Sequence, residues 1–290
     1  MPEATLLSRT AVDVQTEFAS WLDDFPLLGA VVIERLVYLS DGLEVHAYLV
    51  APVGAASAPS VLYARGGGAT HSVRPFILGS LLAPLANAGF CVLATQLRAE
   101  PQGRDEFGGA EIADLVNAAA LLGELPEADP TRVGLIGWSR GSMMVLMALA
   151  HAPSRFRAAI CVAGVADQFA EVERRPEMGS VFAREVPGYL EDRDTALARR
   201  SPLLWASQLP RDVPILLLHG SADWRVSALE PLKLATAFQE LLIPYRLLVY
   251  EGAGHGLREF RDESTAEMIA WFQRYLEEDA PPPNVTPHGR

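Results

Sequence analysis

After Tyr63 the chain alternates short, almost wholly apolar segments with stretches of helical periodicity, and this alternation leaves few architectures open. The apolar segments are FCVLATQL (90–97), TRVGLIGW (131–138), RAAICVAG (157–164), PILLLHG (214–220) and YRLLVYEG (245–252). Helices are expected between and after them over 111–122, from Arg140, near 229–241 and within 265–276. Strands apolar on both sides need cover on both sides, so the pattern predicts an α/β fold: a mostly parallel central sheet with helices on both faces. Ile112, Leu115, Val116, Ala119 and Leu122 fall on one stripe of the first of these helices, a packing face. Three earlier segments, 31–39, 43–51 and 60–64, read as strands, and Asp41-Gly42 between the first two is a two-residue hairpin turn.

A length of 290 residues suits one large domain with a sizeable core. The alternation breaks over 165–212, a mixed charged and aromatic segment too long for a plain loop. It is expected to form a helical cap insertion, with Phe182, Tyr189 and Trp205 as apolar walls of a pocket. Residues 1–30 read as an N-terminal helical extension with its helix around 12–22, and 31–278 as the main domain. The last twelve residues, 279–290, contain four prolines and read as a disordered tail.

Charge and composition narrow the function classes. A net charge of −12 disfavours general nucleic-acid binding, which needs clustered Lys and Arg. The densest apolar run, from Met143, is too short to span a bilayer, and the first residues lack the pattern of a signal peptide. Cys91 and Cys161, both within apolar runs, read as buried strand thiols rather than a disulfide framework. A cytoplasmic location is therefore expected, without a membrane partner. No H-E-x-x-H or closely spaced His/Asp ligand set occurs, so no metal is expected, and no cofactor is implied.

The chemistry centres on Gly137-Trp138-Ser139-Arg140-Gly141. An apolar strand runs into this G-x-S-x-G pattern and a helix leaves it, the setting a nucleophile elbow requires. The competing reading of Ser139 is an ordinary helix N-cap. A serine hydroxyl needs a base, and the elbow fold places an acid and then a histidine after the nucleophile. His255 lies in the glycine-rich stretch Gly252–Gly256 after the last apolar strand, and Asp223 lies in a turn after the preceding one. Asp223 is expected to orient His255, with Glu251 as the alternative acid, and His219 to pack beneath Asp223. An oxyanion hole needs two backbone N–H groups, here expected from Arg140 and from Gly67 in Arg65-Gly66-Gly67-Gly68.

These stretches, with Asp105-Glu106-Phe107-Gly108-Gly109 and Leu218–Asp223, resemble the catalytic domain of the prolyl oligopeptidase family over roughly residues 30 to 278. The resemblance implies an α/β-hydrolase fold, a Ser139-Asp223-His255 triad and acyl transfer to water through an acyl-serine. Two departures stand out. The family's large peptidases carry a β-propeller, for which this chain has no room. Many members have His-Gly-Gly-Pro where this chain has Arg65-Gly66-Gly67-Gly68.

The substrate is expected to be a small-molecule ester or a short peptide. The alternative is a catalytically silent α/β-hydrolase serving as a small-ligand receptor or scaffold. Self-association through a sheet edge or the N-terminal helix is left open. Arginines stand beside several elements of the expected site, so Arg65, Arg98 and Arg225, with Trp138 and Trp224, are the expected substrate-binding residues. Arg65 is the foremost candidate for a substrate carboxylate or carbonyl, because a guanidinium matches carboxylate geometry.

Overall fold

A computed structural model describes residues 4–99 and 101–288. Nine strands form one sheet: β1 (Ala4–Ala11), β2 (Val31–Ser40), β3 (Leu43–Pro52), β4 (Ala58–Ala64), β5 (Cys91–Thr95), β6 (Ala128–Trp138), β7 (Ala158–Val162), β8 (Ile215–Gly220) and β9 (Tyr245–Tyr250). Their order is β1-β2-β3-β5-β4-β6-β7-β8-β9. β1, β2, β3 and β5 pair antiparallel, and from β5 to β9 every pairing is parallel.

Side chains alternate between two cores, as the strand period demands. On β4, Leu62 and Ala64 enter one core while Val61 and Tyr63 enter the other; on β8, Leu217 and Leu216 divide the same way. The first core takes the helices Ile112–Leu121, Arg140–His151 and Leu229–Leu241. The second takes the helical stretch over 75–87 and the helix Arg261–Phe272. Both faces are covered, which is why the parallel strands carry no polar face.

The Asp41-Gly42 turn joins β2 and β3, with φ of 51° and 80°. Both central residues have the positive φ of the hairpin turn that matches strand twist. The interruption at 165–212 contains four helices, Gln168–Arg174, Glu177–Glu185, Arg193–Arg199 and Pro202–Trp205, between β7 and β8. The last main helix begins at Arg261 rather than at Thr265.

The N-terminal expectation needs correction. Residues 4–11 form a strand, not part of a helical extension, and pair with β2 from Ala4↔Ser40 to Ala11↔Glu34. The helical part shrinks to one turn, Val14–Glu17, capped by the Asp13 side chain, followed by short 3-10 turns. The outer edge of β2 offers unpaired backbone groups, and pairing them outweighs a weak helical pattern. Arg9 fastens the added strand to Glu34 and Glu127. Residues 279–288 of the proline-rich tail carry no helix or strand, and the rest of that expectation lies outside the described residues. Among the described residues no helix is long and apolar enough to cross a membrane.

Candidate active site

Ser139 sits at the turn between β6 and the helix Arg140–His151, with φ 58° and ψ −122°. That backbone is costly for a residue with a side chain and persists only where packing dictates it. The two flanking glycines provide the packing. A Cβ on Gly137 would overlap the Gly141 carbonyl, and one on Gly141 would overlap the Ala64 carbonyl of β4. Ser142, on the first helical turn, donates to the carbonyls of Gly137 and Val162 at 2.9 and 2.8 Å. Ser139 Oγ caps no N–H of the helix it precedes, so the N-cap reading of this residue fails.

Asp223 follows β8 and His255 follows β9. The His255 Nδ1–H donates to Asp223 Oδ2 at 2.7 Å. The other carboxylate oxygen, Oδ1, accepts from the N–H groups of Arg225 and Val226 at 2.8 and 3.0 Å. Burial would raise the Asp223 pKa, but the His255 bond and the backbone donors outweigh it and hold the carboxyl below its ordinary value. His219 is buried beside Asp223, its Nε2 3.4 Å from Oδ2 and 3.0 Å from the Val226 carbonyl it donates to. Burial lowers its pKa, keeping the imidazole neutral. Glu251, the alternative acid, is exposed, and Asp223 holds the imidazole instead. Trp138 steadies the histidine loop through Nε1, which donates to the His255 carbonyl at 2.9 Å.

Ser139 and His255 line one cavity of about 630 Å³, together with Gly67, Trp138 and Arg225. A second cavity, of about 240 Å³, opens from Ser139 toward the cap and is lined by Phe107, Val165, Met178 and Val181 among others. His255 does not reach this second cavity. The walls therefore differ from those expected: Phe182 and Tyr189 are buried in the core, with Phe182 edge-on to Phe107 at 5.0 Å, and Trp205 packs against the same core.

Gly67 and Arg140 both border Ser139 in the cavity beneath the cap, and Gly67 borders it in the larger one as well. Among the described residues neither backbone N–H donates to a protein acceptor. Arg140 is the first residue of its helix, whose N–H has no intrahelical partner. Gly67 has φ 73°, and the His71 ring lies where its Cβ would be. His71 was not singled out from the sequence; it borders both cavities, and burial with the nearby Arg74 and Arg65 charges lowers its pKa. Glu185 of the cap was also missed. Its carboxylate accepts from the Ala69 N–H of the glycine loop at 3.3 Å.

The structure redistributes the arginines. Arg65 borders the Ser139 cavity, but its guanidinium is already engaged: it donates to Asp105 at 2.6 Å, to the Gln96 carbonyl at 2.9 Å and to the Gly68 carbonyl at 3.0 Å. Arg98, also expected at the substrate, borders neither cavity. It grips Asp114 through Nε and Nη2 and reaches Asp41 at 2.8 Å, tying the hairpin turn to the helix Ile112–Leu121. The Arg140 side chain lies on Asp105 at 2.7 Å and on Glu111 at 2.8 Å, facing the Phe107 ring. Two guanidiniums and two carboxylates thus close a sealed network, and it accounts for the Asp105–Gly109 segment upstream of the elbow. Both guanidiniums hold the Asp105 pKa low against its burial, while burial raises that of Glu111. Trp224 is 68% exposed, carries Arg175 and Arg225 over its ring, and borders neither cavity. Of the expected substrate contacts, Arg65, Arg225 and Trp138 line the Ser139 cavity, the first with its guanidinium already engaged.

A mixed sheet crossed by a strand–serine–helix turn, with an Asp–His pair in the loops after its last two strands, defines an α/β-hydrolase with a site of serine-hydrolase type. A profile of the prolyl oligopeptidase family matches residues 80–279, and the chain belongs to that family. It is 26% identical over 228 residues to the uncharacterized peptidase YtmA of Bacillus subtilis, covering 78% of this chain and 86% of that protein. It is 25% identical over 233 residues to dipeptidyl-peptidase 5 of Porphyromonas gingivalis, covering 75% of this chain but only 34% of that one. Acylaminoacyl peptidase of Pyrococcus horikoshii superposes with a TM-score of 0.71 at 20% identity, over 85% of this chain and 42% of that one. The chain thus spans most of YtmA and about a third of dipeptidyl-peptidase 5.

Proposed function

We propose that the protein is a serine hydrolase that cleaves small esters and short peptides, with Ser139 as nucleophile, His255 as base and Asp223 as orienting acid. One observation carries this reading: an imidazole fixed by Asp223 at 2.7 Å shares a cavity with a serine held in strained backbone at a strand–helix turn. With Nδ1 committed to Asp223, Nε2 takes the proton from Ser139 Oγ as the oxygen attacks the carbonyl carbon. Gly67 and Arg140 N–H groups receive the developing oxyanion. Nε2 then protonates the departing oxygen or nitrogen as its bond to carbon breaks, leaving an acyl-serine. Water repeats the sequence and releases the acid. His255 must reach the departing atom, so the leaving group occupies the larger cavity and the acyl group the one beneath the cap.

The names of the relatives support a peptidase, and both cavities are small enough to favour short substrates. Arg225 borders both cavities and is placed to hold the substrate across the reacting bond. A cytoplasmic location fits the two free, buried thiols Cys91 and Cys161. Labelling with a fluorophosphonate, beside turnover of p-nitrophenyl esters and aminoacyl p-nitroanilides, tests the reading. Wild-type protein is labelled at Ser139, and Ser139→Ala loses both labelling and at least about a thousandfold in kcat. Ala tolerates the same backbone as Ser, so the variant keeps its fold. Turnover by Ser139→Ala near the wild-type rate rejects the assignment.

A further inference from the structure

The cavity shared by Ser139 and His255 has an unusual charge for this protein. The chain carries 36 acidic against 24 basic residues, yet among the described residues no Asp or Glu lines this cavity and four arginines do. Arg65 is consumed by Asp105 and backbone carbonyls. Arg74, Arg225 and Arg258 are exposed, and among the described residues none of their guanidiniums has an ion pair or hydrogen bond. By contrast, the cavity beneath the cap contains Glu171 and Glu185 beside its arginines. Most other arginines of the chain have found a carboxylate, as Arg9, Arg98, Arg132, Arg157 and Arg174 have. Unpaired guanidiniums around a low-dielectric cleft focus positive potential where the substrate must enter.

The position of these charges relative to the reacting bond can be read from His255. Of the two cavities that meet at Ser139, Arg74 and Arg258 line only the one that contains His255, where the leaving group lies in the reading above; Arg258 and His255 also line a smaller adjoining cavity of about 130 Å³. Arg258 also stacks over Phe76, its carbon 5.5 Å from the ring centre, which holds the guanidinium at the cavity wall. We propose that this half of the cleft selects a leaving group that ends in a free carboxylate, with Arg74 and Arg258 as the specificity-determining residues. The natural substrates are then short peptides or N-acylated amino acids cut close to their C-terminus. Their released part is an amino acid or a short peptide. Planar two-pronged donors suit a carboxylate, and a cavity of about 630 Å³ lies in the range of small-ligand sites.

This inference rests on the hydrolase reading, and a matched pair of esters separates the two. 4-Acetoxybenzoate and its methyl ester share an acyl group, and their leaving groups differ by one negative charge. Each of Arg74→Ala and Arg258→Ala lowers the acid-to-ester ratio of kcat/KM by about tenfold, the scale of a lost charge-assisted bond, with the change in KM. The double variant lowers it further, and raising the ionic strength narrows the wild-type ratio. A matched N-acyl dipeptide and its C-terminal amide show the same order. An unchanged ratio in the double variant, or equal losses on both esters, overturns the inference while leaving the hydrolase reading in place. Absence of both turnover and fluorophosphonate labelling in wild-type protein overturns the hydrolase reading, and the inference with it.

Discussion

Arg65 donates from Nη2 to Oδ2 of Asp105 at 2.6 Å, and neither side chain is more than 3% exposed. A guanidinium so enclosed cannot leave for a substrate without stripping the buried Asp105 carboxylate of one of its two guanidinium partners, Arg140 being the other. Arg65 also supports the Gly66 and Gly68 carbonyls, on either side of Gly67. Its work is to shape the glycine loop.

Arg65→Ala is therefore expected to reduce kcat equally on charged and neutral esters. Urea unfolding should show a loss of about 3–5 kcal/mol, the usual cost of breaking a buried pair. A selective rise in KM for carboxylate substrates, with unchanged stability, would contradict the assignment.

Asp223→Asn should lower kcat by about four decades, because an amide donor favours the wrong tautomer of His255. Glu251→Gln, at an exposed position, should leave kcat within about twofold. Steady-state kinetics of the two variants decides between the acids. The reverse pattern would move the acid to Glu251.

The pH profile follows from the direction of the Asp223 shift. Its folded pKa lies below the ordinary carboxyl value, so the stability it contributes is present above that value and fades as pH falls through the folded one. Asp223 thus stays ionised while a histidine gains its proton, and kcat/KM should rise with pH in a single one-proton step. A profile flat from about pH 5 to 8 would exclude a histidine base.

Removing residues 281–290 should change neither kcat nor melting temperature. Ala280 is the last residue to pack on the second core, and its N–H bonds the Arg274 carbonyl. The described side chains beyond it are mostly exposed and bury too little to offset the entropy of ordering. A drop of several degrees in a thermal melt would show that the removed segment is docked.

How far the sequence was legible varies along the chain. The parallel strands and the elbow were readable because each has a local signature: an apolar run, a hairpin dipeptide, a Gly-x-Ser-x-Gly turn. Asp223 and His255 were readable because chain order and strand ends restrict them. β1 was not, since ATLLSRTA owes its strand to the open edge of β2, a partner more than twenty residues away. The arginines were the hardest. Arg65, Arg74, Arg98 and Arg258 look alike as letters, and only the fold shows that Asp105 and Asp114 neutralise two of them while Arg74 and Arg258 face the cleft. His71 and Glu185 had no signal at all, because their significance depends on touching Gly67 and Ala69 across the fold.

Glu185 reaches from the cap to the Ala69 N–H, and Arg200 from the same segment donates to the carbonyls of Phe107 and Glu106. The cap is consequently no interchangeable accessory. A graft from a relative would bring a new pocket wall but sever the tethers that hold the glycine loop and the Glu106–Phe107 segment. Divergence of substrate preference in this chain is therefore constrained to proceed by single replacements along the pocket wall, at positions such as Met178 and Val181, rather than by exchange of the whole insertion.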